Sequence, residues 1–182
     1  VIYTIPGTGC RTQRSFTILP LPAAITGVSD VCAGATTTLS DATGPGTWST
    51  AGTAVSIAAG TGIVNAIAAG TALVTYTIST GCAVTGMVSV YPVPTTILGP
   101  TGICMNSTVT LTDALTGGTW APALDTVAPI NTTTGKIVGI AVGTTQITYT
   151  TAGGCSTMIT VTVQPRPNIC TLMGGGNYCA GD

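Results

Sequence analysis

The feature that most constrains this chain is that it repeats itself. Residues 25–48 align without a gap onto residues 97–120 at an offset of 72. The matched positions include Ile25 and Ile97, Cys32 and Cys104, Leu39 and Leu111, Asp41 and Asp113, and Gly46-Thr47-Trp48 with Gly118-Thr119-Trp120. After one inserted residue the match resumes at an offset of 73, through Gly62 and Gly135, Tyr76 and Tyr149, Gly81-Cys82 and Gly154-Cys155, and Val88 and Val161. The segments Pro20-Leu21-Pro22, Pro92-Val93-Pro94 and Pro165-Arg166-Pro167 recur at the same period and mark junctions. Proline there stiffens a short linker and cannot extend a strand ladder. The frame predicts an array. Residues 23–94 and 95–167 form complete repeats, 1–22 close an earlier one, and 168–182 open another, with Tyr178-Cys179-Ala180-Gly181 matching Val31-Cys32-Ala33-Gly34. The chain starts inside a strand-like run, Val1–Ile5, as a window on a longer array or a product of leader removal would.

Within each repeat the hydrophobic period is two. Ala72, Val74, Tyr76 and Ile78 alternate with Thr71, Thr75 and Thr77, and Ile147 and Tyr149 alternate with Thr144, Gln146, Thr148 and Thr150. Such alternation, broken by turn residues every 8–12 positions or so, predicts an all-β chain of antiparallel β-sandwiches. Large side chains are few, so Leu39, Trp48 and Tyr76, with Leu111, Trp120 and Tyr149, are the expected core anchors. A unit of about 72 residues buries little surface, and disulfides or neighbouring repeats must add to its stability.

Composition narrows the chemistry. Only 5% of residues are charged, and the chain has no His and no Glu. Histidine bases and Glu/Glu acid–base pairs are therefore absent, no nucleophile–base pair can be assembled, and neither an enzyme nor a cofactor is expected. A net charge of −1 offers no basic field for nucleic acid. No apolar run reaches the roughly 18 residues of a membrane span, which argues against membrane insertion. Seven cysteines without His or Cys-x-x-Cys pairs point to disulfides rather than zinc, and hence to a location outside the cytoplasm.

The combined pattern Cys32-x-Gly34, Thr38-Leu39-x-Asp41-Ala42, Gly46-Thr47-Trp48, Gly62-x-Val64, Ala69-Gly70-Thr71, Thr75-Tyr76-Thr77, Gly81-Cys82 and Val88-x-Val90 resembles the bacterial Ig-like repeats of group 2 type. These occur in long secreted surface proteins and adhesins of Bacteroidota. The second copy departs at Asn106, where the first has Gly34, and the last segment adds Cys170 and a Gly174-Gly175-Gly176 run. The resemblance implies tandem Ig-like sandwiches in a non-enzymatic structural segment of an extracellular filament or adhesin stalk. Its partners would be neighbouring repeats or identical subunits in a filament, with surface glycan as a further candidate. Two alternatives are a binding module for carbohydrate, a host surface or ice, and a fibre subunit that polymerises by strand exchange.

Individual residues carry less. Asp41 and Asp113 read as turn residues that bond nearby backbone amides. Calcium would need several carboxylates together, which five scattered Asp do not supply. Thr-x-Thr pairs at Thr36/Thr38, Thr75/Thr77, Thr108/Thr110 and Thr160/Thr162 read as a soluble β-surface, with ice binding as the sharper alternative. Asn106 and Asn131 open sequons, and Asp125-Thr126-Val127 resembles a Bacteroidota O-glycosylation site at Thr126. Sugar would help a nearly uncharged surface stay in solution.

The cysteine pairing follows from topology. Cys32 precedes the turn into the second strand, at the end where the chain leaves a domain, and Cys82 follows the last hairpin turn, at the opposite end. The last strand, about nine residues at ~3.4 Å each, keeps them roughly 30 Å apart, against about 7 Å between the Cα atoms of a disulfide. The prediction is therefore an interdomain staple, Cys32–Cys155. The in-domain alternative is Cys32–Cys82 with Cys104–Cys155. Cys10, Cys82 and Cys104 would pair beyond this chain, and Cys170 and Cys179 remain open.

Overall fold

The computed structural model describes residues 1–166, so the expectations for 168–182, Cys170 and Cys179 lie outside the described residues. Two short strands, β1 (Ile2–Thr4) and β2 (Arg11–Gln13), form an antiparallel hairpin at the start. The first repeat follows as β3 (Asp30–Cys32), β4 (Thr36–Thr38), β5 (Gly46–Ala51), β6 (Val55–Ile57), β7 (Ile63–Ala66), β8 (Gly70–Ile78) and β9 (Ala83–Tyr91). The second contains β10 (Gly102–Cys104), β11 (Thr108–Thr110), β12 (Thr119–Pro122), β13 (Lys136–Val138), β14 (Gly143–Thr150) and β15 (Ser156–Gln164). The chain divides into two compact units, Val1–Pro92 and Val93–Asp182. The division falls inside the second Pro-x-Pro segment.

Each unit has a large and a small sheet. The large sheets have the order β3-β9-β8-β5 and β10-β15-β14-β12. The small sheets are β4-β7-β6 in the first unit and β11-β13 in the second, where an isolated bridge from Ile130 to Ile137 stands in for the third strand. Pairing is antiparallel except at one edge of each large sheet, where β3 runs parallel to β9 and β10 parallel to β15. A parallel pair needs a long crossover, and here nearly a whole repeat of chain supplies it.

The alternation of side chains becomes an alternation of burial. On β8, Ala72, Val74 and Tyr76 are buried, whereas Leu73 between them is exposed. Val64, Val74 and Val88 fill one core, and Ile137, Ile147 and Val161 the other, all without measurable exposure. Complete burial of such a side chain contributes about 1.5–3 kcal/mol. Leu39, Trp48, Tyr76, Leu111, Trp120 and Tyr149 are all buried in these two clusters. Trp48 faces Tyr76 across β5 and β8 with ring centroids 4.6 Å apart, and Trp120 faces Tyr149 at 4.5 Å.

Glycines make room for these aromatic pairs. A Cβ on Gly46 or Gly118 would lie 2.6 or 2.5 Å from Cζ of the facing tyrosine. Gly62 and Gly135 share a φ of +69°, which favours glycine, and a Cβ on either would lie 2.3 Å from the carbonyl oxygen of Leu39 or Leu111. Gly46-Thr47-Trp48 and its copy therefore recur for steric reasons. The initial hairpin has no such packing: Tyr3, which aligns with Tyr76, is 64% exposed against 5%.

Candidate functional site

The chemistry-bearing groups with a defined state are the cysteines. Cys32 closes β3 opposite Tyr91, the last residue of β9, and Cys104 closes β10 opposite Gln164, the last residue of β15. Cys82 lies in the turn that joins β8 to β9, and Cys155 in the turn that joins β14 to β15. In each repeat a nine-residue strand separates the two sulfurs, a span of about 30 Å. Cys32 and Cys155 are each disulfide-bonded, whereas Cys10, Cys82 and Cys104 are free thiols. Neither in-domain pair, Cys32–Cys82 or Cys104–Cys155, forms, because each needs a free thiol at the far end of a strand.

The outer faces of the large sheets carry no Asp, Glu, Lys, Arg or His side chain on β5, β8, β9, β12, β14 or β15. Register brings hydroxyls into ranks across strands: Thr47 opposes Thr77, Ser49 opposes Thr75, and Thr75 opposes Thr85. In the second unit Thr119 opposes Thr150, which opposes Ser156. The pairs Thr36/Thr38 and Thr108/Thr110 lie elsewhere, on the small sheets. Sequence alone places Thr-x-Thr on a strand but does not reveal which ranks align, since alignment depends on register.

Asp41 and Asp113 stand in equivalent turns. Their Oδ1 atoms accept 2.8 Å bonds from the amides of Thr43 and Leu115, while both Oδ2 atoms are buried without a partner. Thr126, Asn106 and Asn131 are all exposed. Asn106 adopts φ 65° where its counterpart Gly34 adopts 85°, and asparagine tolerates this backbone better than most residues, so the departure from glycine is accommodated. Asn131 Oδ1 accepts from the amides of Thr133 and Thr134 at 3.1 and 2.9 Å.

One group escaped sequence reasoning. Tyr149 Oη donates to the Leu115 carbonyl at 2.6 Å and accepts from the Gly118 amide at 2.8 Å. It borders an open depression of about 420 Å³ lined by Asp113, Leu115, Gly118, Trp120 and Thr133. Tyr76 Oη donates to the Gly44 carbonyl in the same way. Among the described residues no group of three His, Cys, Asp or Glu side chains could hold a metal ion, and no helix is long and apolar enough to cross a membrane.

Solved structures with a similar fold include two bacterial proteins. A C-terminal 282-residue fragment of intimin, solved in complex with the intimin-binding domain of the translocated intimin receptor, matches 81% of this chain with a TM-score of 0.60 and 17% identity. Invasin, described as a bacterial integrin-binding protein, matches 86% with a TM-score of 0.57 and 17% identity. The fold is the Ig-like β-sandwich common to both. The chain spans 65% of the intimin fragment and 42% of invasin. No protein-family model matches the chain, and no curated protein matches it either.

Proposed function

We propose that the chain is a structural segment of an extracellular adhesin stalk or filament, built from the Ig-like repeats 23–94 and 95–167 and stapled by a disulfide between Cys32 and Cys155. The observation that carries this reading is the state of the cysteines. Each repeat holds its two sulfurs a strand length apart, and the two bonded cysteines, Cys32 and Cys155, come from different repeats. A bond between them would join the last-strand end of one sandwich to the hairpin end of the next, across the Pro92-Val93-Pro94 joint. The likeness to intimin and invasin supports an adhesin setting outside the cell, with neighbouring repeats or identical subunits as partners. The motif from Cys32 to Val90 supports the narrower assignment to group 2 repeats of Bacteroidota surface proteins. Thr126 is the proposed O-glycan site and Asn106 and Asn131 are the secondary ones.

Non-reducing digestion and mass spectrometry test the staple. A linked Cys32–Cys155 peptide that disappears on reduction is expected, and its absence from oxidised protein would refute the staple. Glycan-array and ice-recrystallisation assays on the same protein are expected to be silent. Saturable binding in either would replace the spacer with a binding module that uses the uncharged hydroxyl ranks.

A further inference from the structure

We propose that the two unused sulfurs of the complete repeats join copies of the chain: Cys104 of one copy forms a disulfide with Cys82 of a second copy. The inference deepens the proposed function, because it extends the pairing of Cys32 with Cys155 from within one chain to between two.

The five described cysteines fall into two structural classes. Cys32 and Cys104 end the first strand of a repeat, and the amide after each, from Ala33 or Met105, donates to the carbonyl of Tyr91 or Gln164 at 2.8 Å. Cys10, Cys82 and Cys155 end hairpin turns, and their carbonyls accept from the amides of Ile5, Ile78 and Thr151 at 2.8, 3.1 and 2.9 Å. One member of each class is disulfide-bonded. Cys104 therefore stands in the local backbone of a bonded cysteine, Cys32, yet is free and exposed, and Cys82 stands in that of Cys155, yet is free and half-buried. Cys10 shares the turn, but its hairpin has only two strands, whereas Cys82 and Cys155 sit in four-stranded sheets of matching order. Cys82 is accordingly the better copy of a bonded site.

The two complete repeats of each chain then offer one unused sulfur of each class, Cys104 and Cys82. The link joins unlike surfaces and, made once between two copies, leaves a free Cys82 on one and a free Cys104 on the other, so where the rotation between copies does not close, the contact propagates as an open linear series. The chemistry is thiol–disulfide exchange. One thiolate attacks a small disulfide such as oxidised glutathione, forming a mixed disulfide and releasing one reduced thiol; the second thiolate attacks the protein sulfur of that mixed disulfide and releases the other, so the two protons and two electrons of the cysteines leave with two molecules of reduced thiol.

The whole chain, incubated in a glutathione redox buffer and run without reductant, is expected to give a ladder of dimers and higher species. The ladder should collapse with dithiothreitol and yield a Cys104–Cys82 linked peptide. Cys82→Ser and Cys104→Ser proteins should each stay monomeric, an equimolar mixture of the two should stop at dimers, and Cys10→Ser should leave the ladder unchanged. A monomeric wild-type protein overturns the proposal. So does a ladder that survives Cys82→Ser, or one whose linked peptides contain Cys10, Cys170 or Cys179 in place of Cys82. The same digest reads Cys32–Cys155: its presence without the ladder refutes only the link between copies, and its absence beneath an intact ladder refutes only the staple.

Discussion

Replacing Tyr149 with Phe isolates a pair of hydrogen bonds from the packing around them. The ring stays against Trp120 at 4.5 Å, so no cavity opens and the core loses only an oxygen. That oxygen donates to Leu115 and accepts from Gly118, and its removal strands one carbonyl and one amide that are both half-buried. A net hydrogen bond is worth about 0.5–1.5 kcal/mol, so the two together come to about 2 kcal/mol. For a unit of this size that lowers the melting temperature by about 8–16 °C. The first repeat supplies its own control. Tyr76 Oη bonds the Gly44 carbonyl alone, so Tyr76→Phe should cost about 1 kcal/mol, half as much. Native-state hydrogen exchange, followed on β14 and β8 peptides, measures each repeat separately within the intact chain. A loss below about 0.5 kcal/mol for Tyr149→Phe, or an equal loss for both substitutions, would refute the assignment of stability to the second bond.

Other substitutions probe the remaining features. Gly135→Ala, which forces a Cβ to 2.3 Å from the Leu111 carbonyl, should cost well over the roughly 1 kcal/mol of a positive-φ alanine; Gly154→Ala, with φ +79° and open space, should show only that smaller loss in urea titrations. Asp113→Ala should cost about 1 kcal/mol through the lost Leu115 bond, while Asp113→Asn, which keeps the acceptor and removes the charge from the orphaned oxygen, should be neutral or stabilising in the same titration. Ile137→Ala, at a site without exposure, should cost about 2–5 kcal/mol, whereas Ile140→Ala, 47% exposed, should stay within about 0.5 kcal/mol by calorimetry.

Much of the fold was legible because β-structure writes burial into sequence at period two. Leu39, Trp48 and Tyr76 could be placed inside from their spacing, and the second repeat repeated the information. Register and partner choice are not written locally. The parallel pairing of β3 with β9 joins Asp30 to Ser89 and Cys32 to Tyr91, nearly 60 positions away, and nothing in Asp30-Val31-Cys32 announces it. The second repeat also drops the strand equivalent to β6: Pro129 falls in the corresponding stretch, and proline cannot donate to a ladder. Thr145 shows the limit of reading threonine as a surface residue. It is 3% exposed, and its hydroxyl is occupied by the Leu124 amide at 2.9 Å, so a polar group sits in the core at little cost. The separation of the two cysteines in a repeat could be argued from strand length, and the same argument singled out Cys32 and Cys155, the two that are disulfide-bonded, from Cys10, Cys82 and Cys104, which are free.

The parallel edge of each large sheet bears on how a repeat responds to tension. The first and last strands lie side by side and point the same way, so a pull on the two ends of a repeat slides β3 along β9 instead of peeling it away. The rungs from Ser89 to Ser29 and from Ala33 to Tyr91 are then strained together, as are those from Thr162 to Thr101 and from Met105 to Gln164 in the second unit. A shear geometry of this kind breaks its bonds at once, whereas a hairpin unzips them singly. Stretched in a force spectrometer, each repeat would act as a clamp that holds to a threshold and then yields in one step.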